Sequence, residues 1–371
     1  MAYGTVNADV IGTSVAGSNI GAGNASIMKN RLINGAMVID QRNAGASVTA
    51  TVTNARTYTL DRWGYYTTQA SKFTIQQNAG SVTPPAGFKN YLGITSSSAY
   101  TPVSSDIILL QQAIEGYNIA DLGFGTANAK TVTVSFWVYS SLTGTFAGSL
   151  GNSANNRLYP FTYTISSANT WEQKSVTVAG DTSGTWVTDN GIGLYLNLNL
   201  GTGSTYLGTA GSWTSSAYYS ATGGTNVVAT NGATFYITGV QLEVGSSATG
   251  FDYRQYQQEL ALCQRYYFKT FAQGTAPIQN VGSTLGALLV STSATSTFGG
   301  SIPFPVTMRA NPTTVTSYNP SVANANWRDT NNAADRTVGS VGGGDSALYV
   351  IGLAGIVNGL NYIHLTASAE L

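Results

Sequence analysis

Residues 132–140 read Val-Thr-Val-Ser-Phe-Trp-Val-Tyr-Ser (VTVSFWVYS). Val132, Val134, Phe136 and Val138 fall on one side of an extended chain, and Thr133, Ser135, Trp137 and Tyr139 fall on the other. Period two with β-branched and aromatic residues predicts a strand with one buried face. Residues 193–201 (GLYLNLNLG) repeat the pattern, with Leu194, Leu196, Leu198 and Leu200 inward and Tyr195, Asn197 and Asn199 outward. Residues 233–244 (ATFYITGVQLEV) give a third strand, in which Gly239 marks a bulge or a close approach. Further strands are expected at 47–53, 57–63, 91–96, 158–165 and 171–178, separated by Gly, Asn, Ser and Pro. Many short strands without long helices predict an all-β, antiparallel jelly-roll sandwich. The run DIILLQQAIEGYNIADL (106–122) fits strand or helix equally.

At 252–268 (DYRQYQQELALCQRYYF) the period changes. Tyr256, Leu260, Cys263 and Tyr267 recur at helical spacing and predict a connector helix at 253–269. The β pattern then returns, with strands expected at 285–291, 304–308, 313–317, 347–353 and 362–368, a loop at Gly342–Gly344, and hence a second, smaller β-sandwich domain at 270–371. Residues 1–45 form an N-terminal segment whose first 30 residues, rich in Gly, Ala, Ser and Asn, hold too little apolar surface to fold alone. The jelly roll takes 46–252.

Composition excludes several classes of function. The 371 residues carry 16 basic and 16 acidic side chains, only 9% charged in all, against about 25% in an ordinary domain. A neutral chain of this kind cannot coat a nucleic-acid backbone. One Cys and one His exclude zinc clusters and disulfide frameworks, and a nucleophilic triad would have to use His364. In their strand and helix settings His364 and Cys263 are expected to be structural. No apolar run of 18 residues exists, so no membrane insertion is expected, and MAYGTVNADV (1–10) has no signal-peptide character. No phosphate loop is present, and no cofactor or metal is expected; Asp121, Asp181 and Asp189 have the oxygen chemistry for a structural calcium but no known spacing for one.

Several stretches taken together resemble one family. KNRLINGAMVIDQRNAG (29–45), YTLDRW (58–63), QQAIEG (111–116), VSFWVYSS (134–141) and FYITGVQLEVGSSATGFDYRQYQQELALCQRYY (235–267) look like bacteriophage tail-fibre and other virion adhesin proteins, in the same order. FPVTMRANPTTVTSYN (304–319) and HLTASAEL (364–371) are similar to the small terminal β domain that often follows. The resemblance implies a virion structural protein, a homotrimer with a carbohydrate-binding-module-like jelly roll, attached to other virion proteins through residues 1–45 and contacting host surface polysaccharide. A head fibre or decoration protein without a receptor, and a tailspike-like depolymerase, are the alternatives. The expected strands offer Tyr, Thr and Asn rather than rows of acids, which favours a non-enzymatic protein.

Candidate glycan contacts follow from residue type. Trp63 could stack on a sugar ring with Asp61 and Arg62 bonding hydroxyls; alternatively Trp63 packs under the sandwich and Asp61 pairs with an arginine. Trp137, Tyr139 and Tyr195 would share an aromatic and amide surface if their strands share a sheet; alternatively this face is covered. Trp186, Trp213, Tyr218 and Tyr219 lie in loops, where they either anchor the loop or bind ligand. In the last domain Trp327, Asp329 and Asn331 sit in an expected polar loop, NANWRDTNNAADR (324–336).

Overall fold

A computed structural model describes residues 28–282 and 286–371; residues 1–27, most of the expected attachment segment, lie outside them. The described chain is almost entirely β and forms two compact units interleaved in sequence. One contains residues up to Ala36 together with Thr49–Arg56 and Tyr65–Tyr253; the other contains Met37–Val48, Thr57–Gly64 and Arg254–Leu371.

The first part of the chain runs β1 (Val48–Thr49), β2 (Thr57–Leu60), β3 (Trp63–Thr67), β4 (Phe73–Gln77), β5 (Leu92–Ser96), β6 (Ile107–Glu115), β7 (Val132–Ser140), β8 (Gly144–Gly151), β9 (Leu158–Ile165), β10 (Glu172–Val178), β11 (Ile192–Thr202), β12 (Leu207–Gly208), β13 (Ser220–Ala221) and β14 (Thr234–Val244). Two antiparallel sheets make the jelly-roll sandwich. One has the order β1-β4-β5-β14-β7-β10; the other runs β3-β6-β11-β8-β9. Their inner faces meet directly: Phe146 of β8 stacks on Phe235 of β14 at 6.0 Å, and Phe136 of β7 meets Tyr163 of β9 edge-on at 5.0 Å.

The expected inward sets are in place. Val132, Val134, Phe136 and Val138 are buried to 1% exposure or less, as are Leu194, Leu196, Leu198 and Leu200. Each such side chain stabilises the fold by roughly 1.5–3 kcal/mol. The ambiguous run resolves as strand β6 followed by short 3-10 turns. All nine residues of β6 are buried, because both of its faces are covered, and this erased the alternation that would have marked it as a strand. Its two glutamines use opposite faces: Gln112 exchanges hydrogen bonds with the backbone of Ile33, while Gln111 bonds Asn197. Gly239 is a bulge, with φ +60° where the register of β14 against β7 shifts, and a Cβ there would lie 2.6 Å from the Phe88 ring.

The expected strand at 57–63 is instead a hairpin, β2 turning into β3 at Asp61-Arg62, with Arg62 in the left-handed region at φ 67°. Of the strand expected at 47–53, only Val48–Thr49 pairs.

In the other unit, helix α1 (Tyr256–Gln264) leads to β15 (Tyr267–Lys269), β16 (Leu288–Thr292), β17 (Phe298–Pro303), β18 (Thr314–Tyr318), β19 (Trp327–Asp329), β20 (Ala334–Arg336), β21 (Val338–Gly343), β22 (Ala347–Gly352) and β23 (Gly359–Ser368). The helix is shorter than its periodicity suggested. Leu260 and Cys263 are buried, but Tyr256 is 52% exposed and Tyr267 already belongs to a strand. β23 is the hub, pairing with β15, β16, β18 and β19; β17-β22-β21 forms a second sheet. The strand expected at 304–308 lies instead at 298–303, where Gly299 and Gly300 hid it, and Gly342–Gly343 belong to β21 rather than to a loop.

Candidate functional site

The outer face of the β3-β6-β11-β8-β9 sheet carries Tyr195, Asn197 and Asn199, opposite Ala113, Gln111 and Leu109 of β6. Most of this face is covered by the loop around residues 203–229. Asn199 Nδ2 donates to Thr225 O (3.0 Å) and Asn226 Oδ1 (3.2 Å), and Ser149 Oγ donates to Tyr219 O at 3.0 Å. A buried relay runs beneath it: Gln111 Nε2 donates to Asn197 Oδ1 (2.6 Å), and Asn197 Nδ2 donates to Ser149 Oγ (3.0 Å). With these partners made, the amides hold the loop backbone in register with the sheet.

Where the loop ends, the face opens into a groove of about 320 Å³, lined by Asn54, Ala55, Arg56, Tyr66, Ile107, Leu109, Gln111, Asn155, Tyr195 and Tyr219. Three tyrosines, Tyr66, Tyr195 and Tyr219, line it, and the ring of Tyr206 lies 5.6 Å from that of Tyr219. Burial pushes the Tyr219 hydroxyl up to about 12, so it remains a hydrogen-bond donor at neutral pH. The Arg56 guanidinium lies 4.5 Å from the centroid of Tyr195, and its Nε donates to Gln111 Oε1 at 3.3 Å. Ring faces, amides and a guanidinium are the groups that stack on sugar rings and bond their hydroxyls.

Of the sequence candidates, Tyr195 lines this groove. Trp137 and Tyr139 do not join it, because β7 and β11 belong to different sheets. Tyr139 instead stacks on Tyr236 (5.4 Å, 6° between planes) and packs against Trp171, while Trp137 lies beside Gly239. Sequence reading missed Arg56, Tyr66 and Gln111, which come from separate segments and meet only through strand pairing. Tyr219 belongs to a Gly- and Ser-rich segment, and only the fold brings it to this groove.

Asp61, Arg62 and Trp63 form no open sugar site, since all are 1% exposed or less. Asp61 accepts from Gln41 N and Nε2, both at 2.7 Å; burial pushes its carboxyl up to about 6 against the pull of Arg42. Arg62 pairs with Glu370, which also accepts from Arg42 Nη2 at 2.8 Å. Arg62 and Arg42 lie over the rings of Tyr266 and Tyr267 at 3.6 and 3.8 Å. YTLDRW, QRYY and the residues around Glu370 are thus parts of one buried clasp, in which Gln41 holds Asp61 and the ion pairs to Glu370 come from Arg62 and Arg42.

Trp327 and Asp329 are likewise fully buried, on β19 rather than in a loop, with Asp329 held by Arg336 Nη2 at 2.9 Å. Asn331 is exposed and lines a second, polar groove of about 370 Å³ with Ser291, Thr292, Ser293, Asn358, Gly359 and Leu360. Asp121 pairs with Arg31 and Asp181 with Arg157, each through two short bonds, which takes both away from a calcium role. Trp186 and Trp213 meet Phe124 edge-on and anchor their loops. Buried His364 stacks on Phe271 at 4.1 Å, bonded between Thr270 Oγ1 and Gly282 O; burial lowers its pKa and favours the neutral ring.

Among solved structures, the chain is similar to the enzymatically active domain of tailspike protein 4 of bacteriophage CBA120, at 13% identity and a TM-score of 0.33 over 58% of this chain; the match spans 21% of that chain. It is also similar to a family 11 carbohydrate-binding module of Clostridium thermocellum in complex with a β-1,3-1,4-mixed-linked tetrasaccharide. That likeness has 11% identity and a TM-score of 0.28, over 55% of this chain and 98% of that one. TmCBM61 in complex with β-1,4-galactotriose matches at 10% identity and a TM-score of 0.26, over 49% of this chain and 88% of that one. No protein-family model and no curated protein matches the chain. At these scores the likenesses assign no ligand to it.

Proposed function

We propose that this chain is a non-enzymatic, glycan-binding protein of a bacteriophage virion, a tail fibre or receptor-binding adhesin that takes a host-surface saccharide in the groove around Tyr195. The observation that carries the reading is the groove itself, which brings tyrosines, amides and a guanidinium together among its described lining residues. Among the described residues, none of the ten that line it is Asp or Glu, whereas glycoside hydrolysis generally uses a pair of carboxyl groups. The virion role draws on the resemblance carried by residues 29–45, 58–63 and 235–267.

The test is binding on a glycan array, followed by titration calorimetry with the tightest ligand. Tyr66→Ala and Tyr219→Ala, at partly exposed positions, are each expected to weaken binding about tenfold, the loss of one stacking or hydroxyl contact. Parental affinity in both variants would place binding elsewhere and overturn the reading.

Weak single sites gain from copy number. Leu289, Tyr349, Leu353 and Val357 of the C-terminal unit are each 45–54% exposed, a cost that assembly would relieve. Light scattering on the size-exclusion peak is expected to give three copies per particle, and a stable monomer would overturn the fibre reading.

A further inference from the structure

Two residues that line the groove, Gln111 and Tyr219, are joined from beneath by two that are fully buried, Asn197 and Ser149. Resting on the glycan reading above, we infer that Asn197 and Ser149 are positioning residues for saccharide binding. They touch no ligand themselves and fix Tyr219 in the groove before a sugar arrives.

Strand register builds the connection. Asn197 of β11 stands directly opposite Gln111 of β6 on one side and directly opposite Ser149 of β8 on the other. The three polar side chains therefore form one row across three strands, at the spacing where cross-strand pairs interact. The bonds run one way along it. Gln111 Nε2 donates to Asn197 Oδ1 (2.6 Å), Asn197 Nδ2 donates to Ser149 Oγ (3.0 Å), and Ser149 Oγ donates to Tyr219 O (3.0 Å). An amide accepts at its oxygen while donating from its nitrogen, and a hydroxyl does both at one atom, so Asn and Ser suit the inner places of such a row. The last bond leaves the sheet and ends on the backbone of a residue that lines the groove. Linked hydrogen bonds in a low-dielectric interior strengthen one another. Order established before binding lowers the entropy lost when a ligand is gripped. Breaking the row at Ser149 loosens Tyr219 from the sheet while leaving the groove's own side chains in place.

The experiment is a double-mutant cycle, read by titration calorimetry with the tightest saccharide from the array. Ser149→Ala is expected to weaken binding about three- to tenfold, the equivalent of one hydrogen bond. Asn197→Leu, which removes the centre of the row, should weaken the folded protein's binding by at least as much. The deciding readout is the combination of Ser149→Ala with Tyr219→Ala. If Ser149 acts through Tyr219, little remains to be lost once that ring is gone, and the double variant should bind about as the Tyr219→Ala single does. A merely structural role would not produce this non-additivity. Parental affinity in Ser149→Ala beside a loss in Tyr219→Ala would overturn the inference and leave the glycan reading standing. So would a Ser149→Ala loss that persists in full in the Tyr219→Ala background, since the row would then act elsewhere. If no glycan binds, or if Tyr66→Ala and Tyr219→Ala both bind as the parent does, the glycan reading fails and the inference with it.

Discussion

Replacing Glu370 with alanine is expected to lower folding stability by about 3–5 kcal/mol, the range found when one partner of a buried ion pair is removed. Glu370 is the shared acceptor of two arginines, and the Arg62 side chain is only 1% exposed. Burial works against the Arg62 charge, and Glu370 is the main group restoring it, to the point of raising the guanidinium pKa above its ordinary value. Tyr58 and Tyr266 face Arg62, but their rings supply only part of the lost interaction. Urea denaturation would measure the loss. Glu370→Gln keeps an acceptor and should fall between parent and alanine. Paired Arg62→Met and Glu370→Met substitutions should cost less than the sum of the singles, since Arg62 then no longer stands as a buried charge without its acceptor, although Arg42 still loses one. A Glu370→Ala variant within about 0.5 kcal/mol of the parent would show that the clasp is not an energetic unit.

Trp327→Ala is expected to cost about 3–5 kcal/mol while leaving glycan affinity of the folded protein unchanged. Trp327 is fully buried, meets Phe298 at 5.1 Å, and shares a core with Phe304, Met308, Val350, Ile363 and Leu365. Removing the indole leaves a cavity that these neighbours cannot all collapse into. Trp327→Phe retains a ring and should lose less. Parallel denaturation and calorimetry separate the roles: a variant of parental stability with lost binding would return Trp327 to the ligand contacts, against its burial.

Alternation at Val132–Val138 and Leu194–Leu200 sufficed to read the sandwich, because one face of each strand packs on the opposite sheet. It failed at Ile107–Glu115, where both faces are covered and no period survives. It failed again at Phe298–Pro303, where glycines replaced the side chains that carry a pattern. The site was harder to read. Tyr195 was visible from its own strand, but Arg56, Tyr66 and Gln111 lie up to 139 positions from it in the chain, and only the pairing of β11 with β6 and the path of the edge segments bring them together. The Asp61-Arg62-Trp63 triplet looked like a ligand set because polar and aromatic neighbours serve binding and burial alike. What separates the two is the presence of Glu370, which no local pattern announces.

That acceptor lies 308 residues beyond Arg62 in the chain. During synthesis the β2–β3 turn, with its left-handed arginine, therefore emerges long before the group that neutralises it. Until residues 364–371 arrive, the turn must stay hydrated or be shielded by other means, and closing so long a span is entropically costly and slow. A truncation that stops at residue 269 would consequently do more than delete the later strands: it would take from Arg42 and Arg62 the carboxylate that both use. A shortened chain intended to isolate the groove should carry neutral residues at those two positions.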